Sequence, residues 1–167
     1  RKASIVIINI KDQEAFCFLE GILDIGEPNP VPLIHAVLKK ADSLPFPQIV
    51  DGPPGNACPM VAAVEQSNFV ILVTEPTPFG LSDLALATET VRELHIPAGV
   101  VINRSDLGNI EEAEIFCKNL ALPILARLPF SKEVARAYAK GIAPILIDKQ
   151  WQEAASDILN HVKEVLS

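Results

Sequence analysis

Short apolar runs alternate with helical patterns along most of this 167-residue chain. The runs are rich in Val and Ile, and most are apolar on both faces, which is typical of parallel strands covered by helices on both sides. Alternating strands and helices imply right-handed crossovers, so the sequence predicts an α/β fold in which a mostly parallel sheet forms the middle of a three-layer sandwich. We predict strands over residues 5–10, 15–19, 48–51, 69–74, 98–103 and 124–128.

Proline and polar capping residues mark where the predicted helices begin. Asn109 and Glu112 form a capping box that starts one helix. Gly141 follows another, in the position where a left-handed residue often ends a helix. We expect the apolar face of the last helix to pack in the core, through Trp151, Ala155, Ile158, Leu159, Val162 and Leu166. The predicted helices cover residues 32–40, 83–94 after a Ser82 cap, the segment from 110, 132–140 after a Ser131 cap, and about 151–166.

The size and charge of the chain narrow its class. With 167 residues, 49% of them hydrophobic, it is long enough to build one substantial core, and we expect a single α/β domain over residues 1–167. A net charge of −7 without a long basic run argues against nucleic acid or an anionic membrane surface as the main partner. The three histidines and three cysteines lack metal-ligand spacing, and no apolar segment reaches membrane-spanning length. We therefore expect a soluble, cytoplasmic protein without a zinc or iron–sulfur site in this chain.

The apolar run that ends at Asp51 continues directly into Gly-Pro-Pro-Gly. A carboxylate at the end of a strand suits a magnesium ion held through a water beside phosphates. Gly55 has no Cβ, so its backbone can approach a terminal phosphate, and the two prolines restrict the loop to few conformations. The alternative is a simple turn in which Asp51 caps the next helix. Spacing alone leaves both interpretations open.

The run that ends at Asn103 is followed by Arg104, Ser105 and Asp106. An amide can bond a purine edge, and a long cation can lie over the face of the base. Asp106 would accept protons from guanine, whereas adenine needs no such carboxylate, so these residues do not decide the base. An Asx turn after a strand is the alternative. The segment from Glu75 to Gly80 contains two prolines, and we interpret it as a turn.

Three stretches carry a resemblance to a known family. These are VDGPPGNACPMVAAVEQSNFVILVTEPTPFGLSDLALATETVRELHIPAGVVINRSDLGN, the upstream EGILDIGEPNPVPLIHAV and the downstream LPFSKEVARAYAKG. Over nearly the whole chain the sequence resembles the MinD/ParA/Mrp group of ATPases, most closely the subgroup with an inserted ferredoxin module. The resemblance implies a Rossmann-like, SIMIBI-type P-loop NTPase fold that binds ATP and Mg²⁺, hydrolyses ATP slowly and forms a homodimer. It also implies coupling to iron–sulfur clusters in the inserted module and a redox partner.

The same resemblance implies roles for six residues. Asp51 is matched to the carboxylate that holds magnesium through water, and Gly55 to the catalytic switch glycine that senses the terminal phosphate. Asn103 is matched to the adenine contact. The other implied members of the base pocket are Arg104, Pro129 and Phe130.

The sequence departs from the family at the phosphate-binding loop. No G-x-x-x-x-G-K-[ST] pattern occurs in these 167 residues, and the family's first strand and four-cysteine cluster motifs have no counterpart. We therefore expect the carboxyl-terminal part of a longer protein, which binds ATP weakly or not at all by itself. The missing strand would leave a gap in the sheet beside the run ending at Asp51. The 5–10 run, a partner chain or closure of the remaining strands could fill that gap.

Three function classes follow. The first is the nucleotide-binding and switch portion of an ATPase that drives electron transfer or cluster handling. The second is a catalytically inactive α/β module that binds a protein partner. The third is a GTP-binding switch, which Asp106 alone suggests.

Overall fold

The computed structural model describes residues 4–9, 17–45 and 47–167. The chain divides into two compact units, Arg1–Gln66 and Ser67–Ser167. The single domain over residues 1–167 stays a prediction. Within the described ranges, every helix is too short or too polar to cross a membrane.

The first unit contains an antiparallel pair of strands followed by two helices. β1 (Ser4–Asn9) pairs with β2 (Cys17–Ile22), so that Ser4 lies opposite Ile22 and Asn9 opposite Cys17. The helices are α1 (Val31–Ala41) and α2 (Cys58–Val64), and α1 packs against both β2 and α2. A proline lies in the first turn of each helix, where its missing N–H costs no hydrogen bond.

Two strand predictions in the first unit need correction. The runs at 5–10 and 15–19 do form strands where the structure describes them, but the pair is antiparallel rather than part of a parallel sheet. Only residues 10–16 separate β1 from β2, whereas a parallel pair needs a crossover of a dozen or more residues. The predicted positions 10, 15 and 16 lie outside the described residues.

The predicted strand at 48–51 is wrong. Residues 47–53 have no regular secondary structure, and the side chain of Ile49 is 95% exposed. A strand exists only where a neighbour pairs with its backbone groups, and the described part of the first unit has a sheet of β1 and β2 alone. The 5–10 run therefore pairs with β2 and does not compensate for a missing parallel strand.

The second unit is a parallel sheet with helices on both faces. Its strands are β3 (Val70–Thr74), β4 (Ala98–Asn103) and β5 (Ile124–Leu128), hydrogen-bonded in the order β3-β4-β5. All three strands were predicted, two of them to the residue. The helices are α3 (Pro78–Glu93), α4 (Ile110–Asn119), α5 (Lys132–Tyr138) and α6 (Lys149–Leu166), with a short 3₁₀ turn at Pro144–Leu146 before α6.

Two helix starts in the second unit were predicted correctly. The Asn109 side-chain oxygen accepts from the Glu112 N–H at 3.1 Å, and its amide donates to the Glu112 carboxylate at 3.2 Å. The Ser131 hydroxyl accepts from the Val134 N–H at 3.2 Å. Gly141 has φ 76°, which confirms the left-handed residue predicted after α5. Each of these signals is local in sequence, so it does not depend on which elements pack together.

Two other helices begin before their predicted starts. Thr77, not Ser82, caps α3, since its hydroxyl accepts from the Gly80 N–H at 3.1 Å and Pro78 supplies a preset φ for the first helical residue. Asp148 caps α6 by accepting from the N–H groups of Gln150 at 2.9 Å and Trp151 at 3.2 Å. For α3, Ser82 lies nearest the start of the apolar pattern but is not the cap.

The core of the second unit lies on both sides of β4. On one face, Val100 and Ile102 are 0% exposed. Thr74 and Arg127 lie on the same face, in register with Ile102. Thr74 hydrogen-bonds Gly80 in α3, and Arg127 hydrogen-bonds Glu114 in α4. The other face forms a second cluster with α6, so this unit has the predicted three layers. The buried members of that cluster are Val101, Ala126, Leu128 and Ala154, and Trp151 and Ile158 pack against them.

The inner face of α6 is narrower than predicted. Leu159 and Leu166, expected in the core, are about half exposed, whereas Ala154 is buried. α6 meets the sheet mainly at β5. One stripe of the helix, with Trp151, Ala154 and Ile158, packs against the sheet, and the adjacent stripe, which includes Leu159, faces outward.

Candidate functional site

Asp51 and Gly55 lie in the irregular segment that precedes α2 in the first unit. Gly55 has φ 93°, and a Cβ added there would meet nothing within 4 Å, so the backbone conformation rather than crowding favours glycine. Asp51 is exposed, and α2 begins after Ala57 with no side-chain cap. The alternative in which Asp51 caps the next helix is therefore wrong.

The carboxyl end of β4 is tied to the ends of both neighbouring strands in the second unit. The Ser105 N–H donates to the Leu128 carbonyl oxygen at 3.0 Å, on the β5 side. The Asn109 N–H donates to the Pro76 carbonyl oxygen at 3.2 Å, on the β3 side. Gly108 lies so close that a Cβ there would overlap the same Pro76 oxygen. The loop from 104 to 109 is thus held on two sides.

Asp106 connects this loop to the segment after β5. Its Oδ1 accepts from the Phe130 N–H at 2.6 Å. Pro129 and Phe130 are thereby placed beside the end of β4. The sequence predicts for Asp106 only a role as a guanine acceptor, because nothing local indicates a contact with residues that follow a different strand.

Arg104 forms an ion pair with Glu75 across the ends of β4 and β3. Its Nη1 lies 3.3 Å from the Glu75 Oε1, and both side chains are about half exposed. Arg104 has φ 48°, an uncommon left-handed conformation for a residue with a side chain. An exposed pair of this kind contributes at most about 1 kcal/mol to stability, so its main effect is on where the guanidinium group points. Glu75 lies in the segment predicted to be a turn, and no local pattern marks it as a partner of Arg104.

The structure brings four of the six predicted residues to one edge. Asn103 ends β4, where it is partly buried and lies in register with Leu128. Arg104, Pro129 and Phe130 follow at the same edge, and Phe130 is 42% exposed. This edge carries an amide, a guanidinium group and an aromatic ring, which together can bond the rim of a planar heterocycle and cover its face. Asp51 and Gly55 belong to the other compact unit.

The described residues contain no group of three or more His, Cys, Asp or Glu side chains that could hold a metal ion. A carboxylate that holds magnesium through water needs no such group, so the role of Asp51 stays a prediction. Cys117 is fully buried on α4, and burial raises the pKa of its thiol. Cys117 is therefore a core residue, whereas Cys58 at the start of α2 is exposed.

No protein-family model matches the chain. Two uncharacterized proteins of Methanocaldococcus jannaschii are similar to it. One is 29% identical over 117 residues, which cover 70% of this chain and 37% of that protein. The other is 25% identical over 156 residues, which cover 90% of this chain and 52% of that protein. The chain thus spans about half or less of the length of these relatives.

Solved MinD proteins share the fold. The MinD cell division protein of Aquifex aeolicus superposes with a TM-score of 0.66 at 15% identity, covering 80% of this chain and 61% of that one. The cell division ATPase MinD of Pyrococcus furiosus gives a TM-score of 0.62 at 22% identity, covering 76% and 57%. The α/β fold is confirmed: the chain has part of the Rossmann-like fold seen in these MinD proteins.

Proposed function

We propose that this chain is the nucleotide-binding and switch portion of a MinD-like ATPase. The observation that supports the proposal most is the edge at the ends of β4 and β5, where Asn103, Arg104 and Phe130 lie together on a fold shared with an ATPase. Ligands of open α/β sheets bind at this end of the strands. The residues present suit the binding of a base and a switch that senses the terminal phosphate. They do not include a phosphate-binding loop, since the chain has no glycine-rich loop with a Gly-Lys pair.

Each residue in the proposal has a role that follows from its chemistry. The Asn103 amide bonds the purine edge, Arg104 lies over its face, and Pro129 and Phe130 form a wall of the pocket. Asp51 holds magnesium through a water, and the Gly55 N–H detects the terminal phosphate. Bound ATP and Mg²⁺ supply the phosphoanhydride bond and the neutralising charge for hydrolysis.

Adenine suits this site better than guanine. A carboxylate that reads guanine turns both oxygens toward the base, whereas the Asp106 Oδ1 accepts from the Phe130 backbone and so orients this carboxylate toward the protein. This contact weighs against the GTP-binding switch. If the chain were only a module that binds a protein partner, the left-handed conformation of Arg104 would have no function. Nor would the placement of the Asn103 amide and the Phe130 ring at one edge.

Coupling to iron–sulfur clusters and assembly into a homodimer are further parts of the proposal. They rest on the resemblance to the ferredoxin-containing subgroup. The cysteines of such clusters would lie outside this chain, because Cys17, Cys58 and Cys117 have no cluster spacing.

The test uses the full-length polypeptide that carries this sequence. We expect it to bind ATP in preference to GTP and to hydrolyse ATP when magnesium is present. Asp51→Asn should lower magnesium-dependent turnover by about 10- to 100-fold, because the residue acts on the metal through water. Asp83→Asn, which changes an exposed carboxylate on α3, is the matched control. Absence of ATP binding would favour the interaction module, whereas unchanged turnover in Asp51→Asn would rule out the proposed role of Asp51.

A further inference from the structure

Asp106 occupies a position where the sequence suggests base recognition, yet its carboxylate faces the protein backbone. The Oδ1 to Phe130 N distance of 2.6 Å joins the loop after β4 to the segment after β5. The neighbouring Ser105 N–H donates to the Leu128 carbonyl oxygen at 3.0 Å. Two hydrogen bonds in opposite directions therefore lock these two strand ends together.

The loop that carries Asp106 has little freedom to move away. The Leu107 N–H donates back to the Arg104 carbonyl oxygen at 2.9 Å, and Arg104 itself adopts φ 48°. On the far side, Gly108 and Asn109 contact the Pro76 carbonyl oxygen. The carboxylate is thus presented by a loop with fixed geometry, so it can impose that geometry on the segment it holds.

The segment held by Asp106 is half of the proposed base pocket. Phe130 is partly exposed, and its own N–H is the donor to Asp106. Ser131 follows at once and caps α5. Fixing the Phe130 amide therefore sets the path of the backbone between β5 and α5, and with it the distance across the pocket from Phe130 to Asn103.

We propose that Asp106 is a positioning residue for the base pocket, which sets the Pro129–Phe130 backbone and does not read the base. The consequence is a site that selects a purine without a carboxylate at its edge, which favours a 6-aminopurine over guanine. This inference rests on the proposed function for the identity of the ligand, but the contact it concerns lies within one compact unit of the chain.

Asp106→Ala and Asp106→Asn separate positioning from base reading in the full-length protein. Alanine cannot accept from the Phe130 N–H, so KM for ATP should rise about tenfold while kcat changes little, as expected when ground-state and transition-state binding are lost equally. Asparagine keeps an oxygen in the same place and should restore most of the affinity. The preference for ATP over GTP should persist in both variants. Asp157→Ala, an exposed carboxylate on α6, is the control and should leave KM unchanged.

Hydrogen exchange at the Phe130 amide gives a readout that needs no nucleotide. The amide should exchange slowly in the wild-type protein and in Asp106→Asn, and much faster in Asp106→Ala. Slow exchange together with absent ATP binding would overturn the proposed function and leave the contact intact. The positioning role is overturned if ATP binds and Asp106→Ala leaves KM unchanged, if Asn is as harmful as Ala, or if either variant selectively weakens GTP. Should the Ala variant fail to fold, the Asn variant alone decides: slow exchange of its Phe130 amide supports the contact, and fast exchange there overturns it.

Discussion

The two compact units differ in whether their strand-like apolar segments form paired strands. In the second unit, the strand-like segments all lie in one parallel sheet, and Ile102 at its centre is completely buried. In the first unit, the strand-like segment before Asp51 pairs with nothing described, and Ile49 is almost completely exposed. Similar sequence patterns therefore give different structures, because a strand needs a neighbouring strand as well as a suitable sequence.

The largest expected difference between the units concerns matched isoleucines. Ile102→Ala should lower the free energy of unfolding by about 3 kcal/mol, since it removes a fully buried side chain and leaves a cavity. Ile49→Ala should change it by less than about 0.5 kcal/mol, because the side chain is exposed. Urea unfolding of both variants measures this. A large cost at Ile49 would mean that the segment before Asp51 is packed in the protein.

A smaller effect, equal in the two units, is expected for two left-handed glycines. Gly55 in the first unit and Gly141 in the second both have positive φ, and an added Cβ would meet nothing within 4 Å at either. Each change to alanine should therefore cost about 1 kcal/mol through backbone strain alone. Thermal unfolding of the two variants compares them. If Gly141→Ala shows this cost and Gly55→Ala shows none, the loop after Asp51 does not hold the left-handed conformation.

The smallest effect is a pH dependence in the second unit. Burial raises the pKa of the Cys117 thiol above its ordinary value of 9.0, so the unfolded chain loses this proton at lower pH than the folded protein. Stability from this group is complete below pH 9 and falls as pH rises above it, by less than about 0.7 kcal/mol over the first half pH unit. The fall should be smaller in Cys117→Ala. Equal pH profiles for the two proteins would show that the thiol is not protected by the fold.

The second unit was largely predictable from sequence because its signals are local. The three strand positions, the Asn109 and Ser131 caps and the left-handed Gly141 each depend on a few adjacent residues. The pairing of β1 with β2 and the failure of a strand at 48–51 depend on which partner is present, and no local pattern contains that information.

The candidate site shows the same division. Asn103, Arg104, Pro129 and Phe130 were found because they follow predicted strands, whose carboxyl ends meet at one edge. The roles of Glu75 and Asp106 were missed, because each contacts a residue that follows a different strand. A carboxylate that bonds a distant backbone N–H has the same sequence signature as one that bonds a ligand.

The most direct test of the account is a backbone amide NMR spectrum of the full-length protein, recorded with and without a nonhydrolysable ATP analogue and magnesium. The account predicts that the amide signals of Asn103, Phe130 and Gly55 shift on addition, and that the GTP analogue at the same concentration leaves them nearly unchanged. Saturating ATP analogue that shifts none of these three signals would contradict the proposed function.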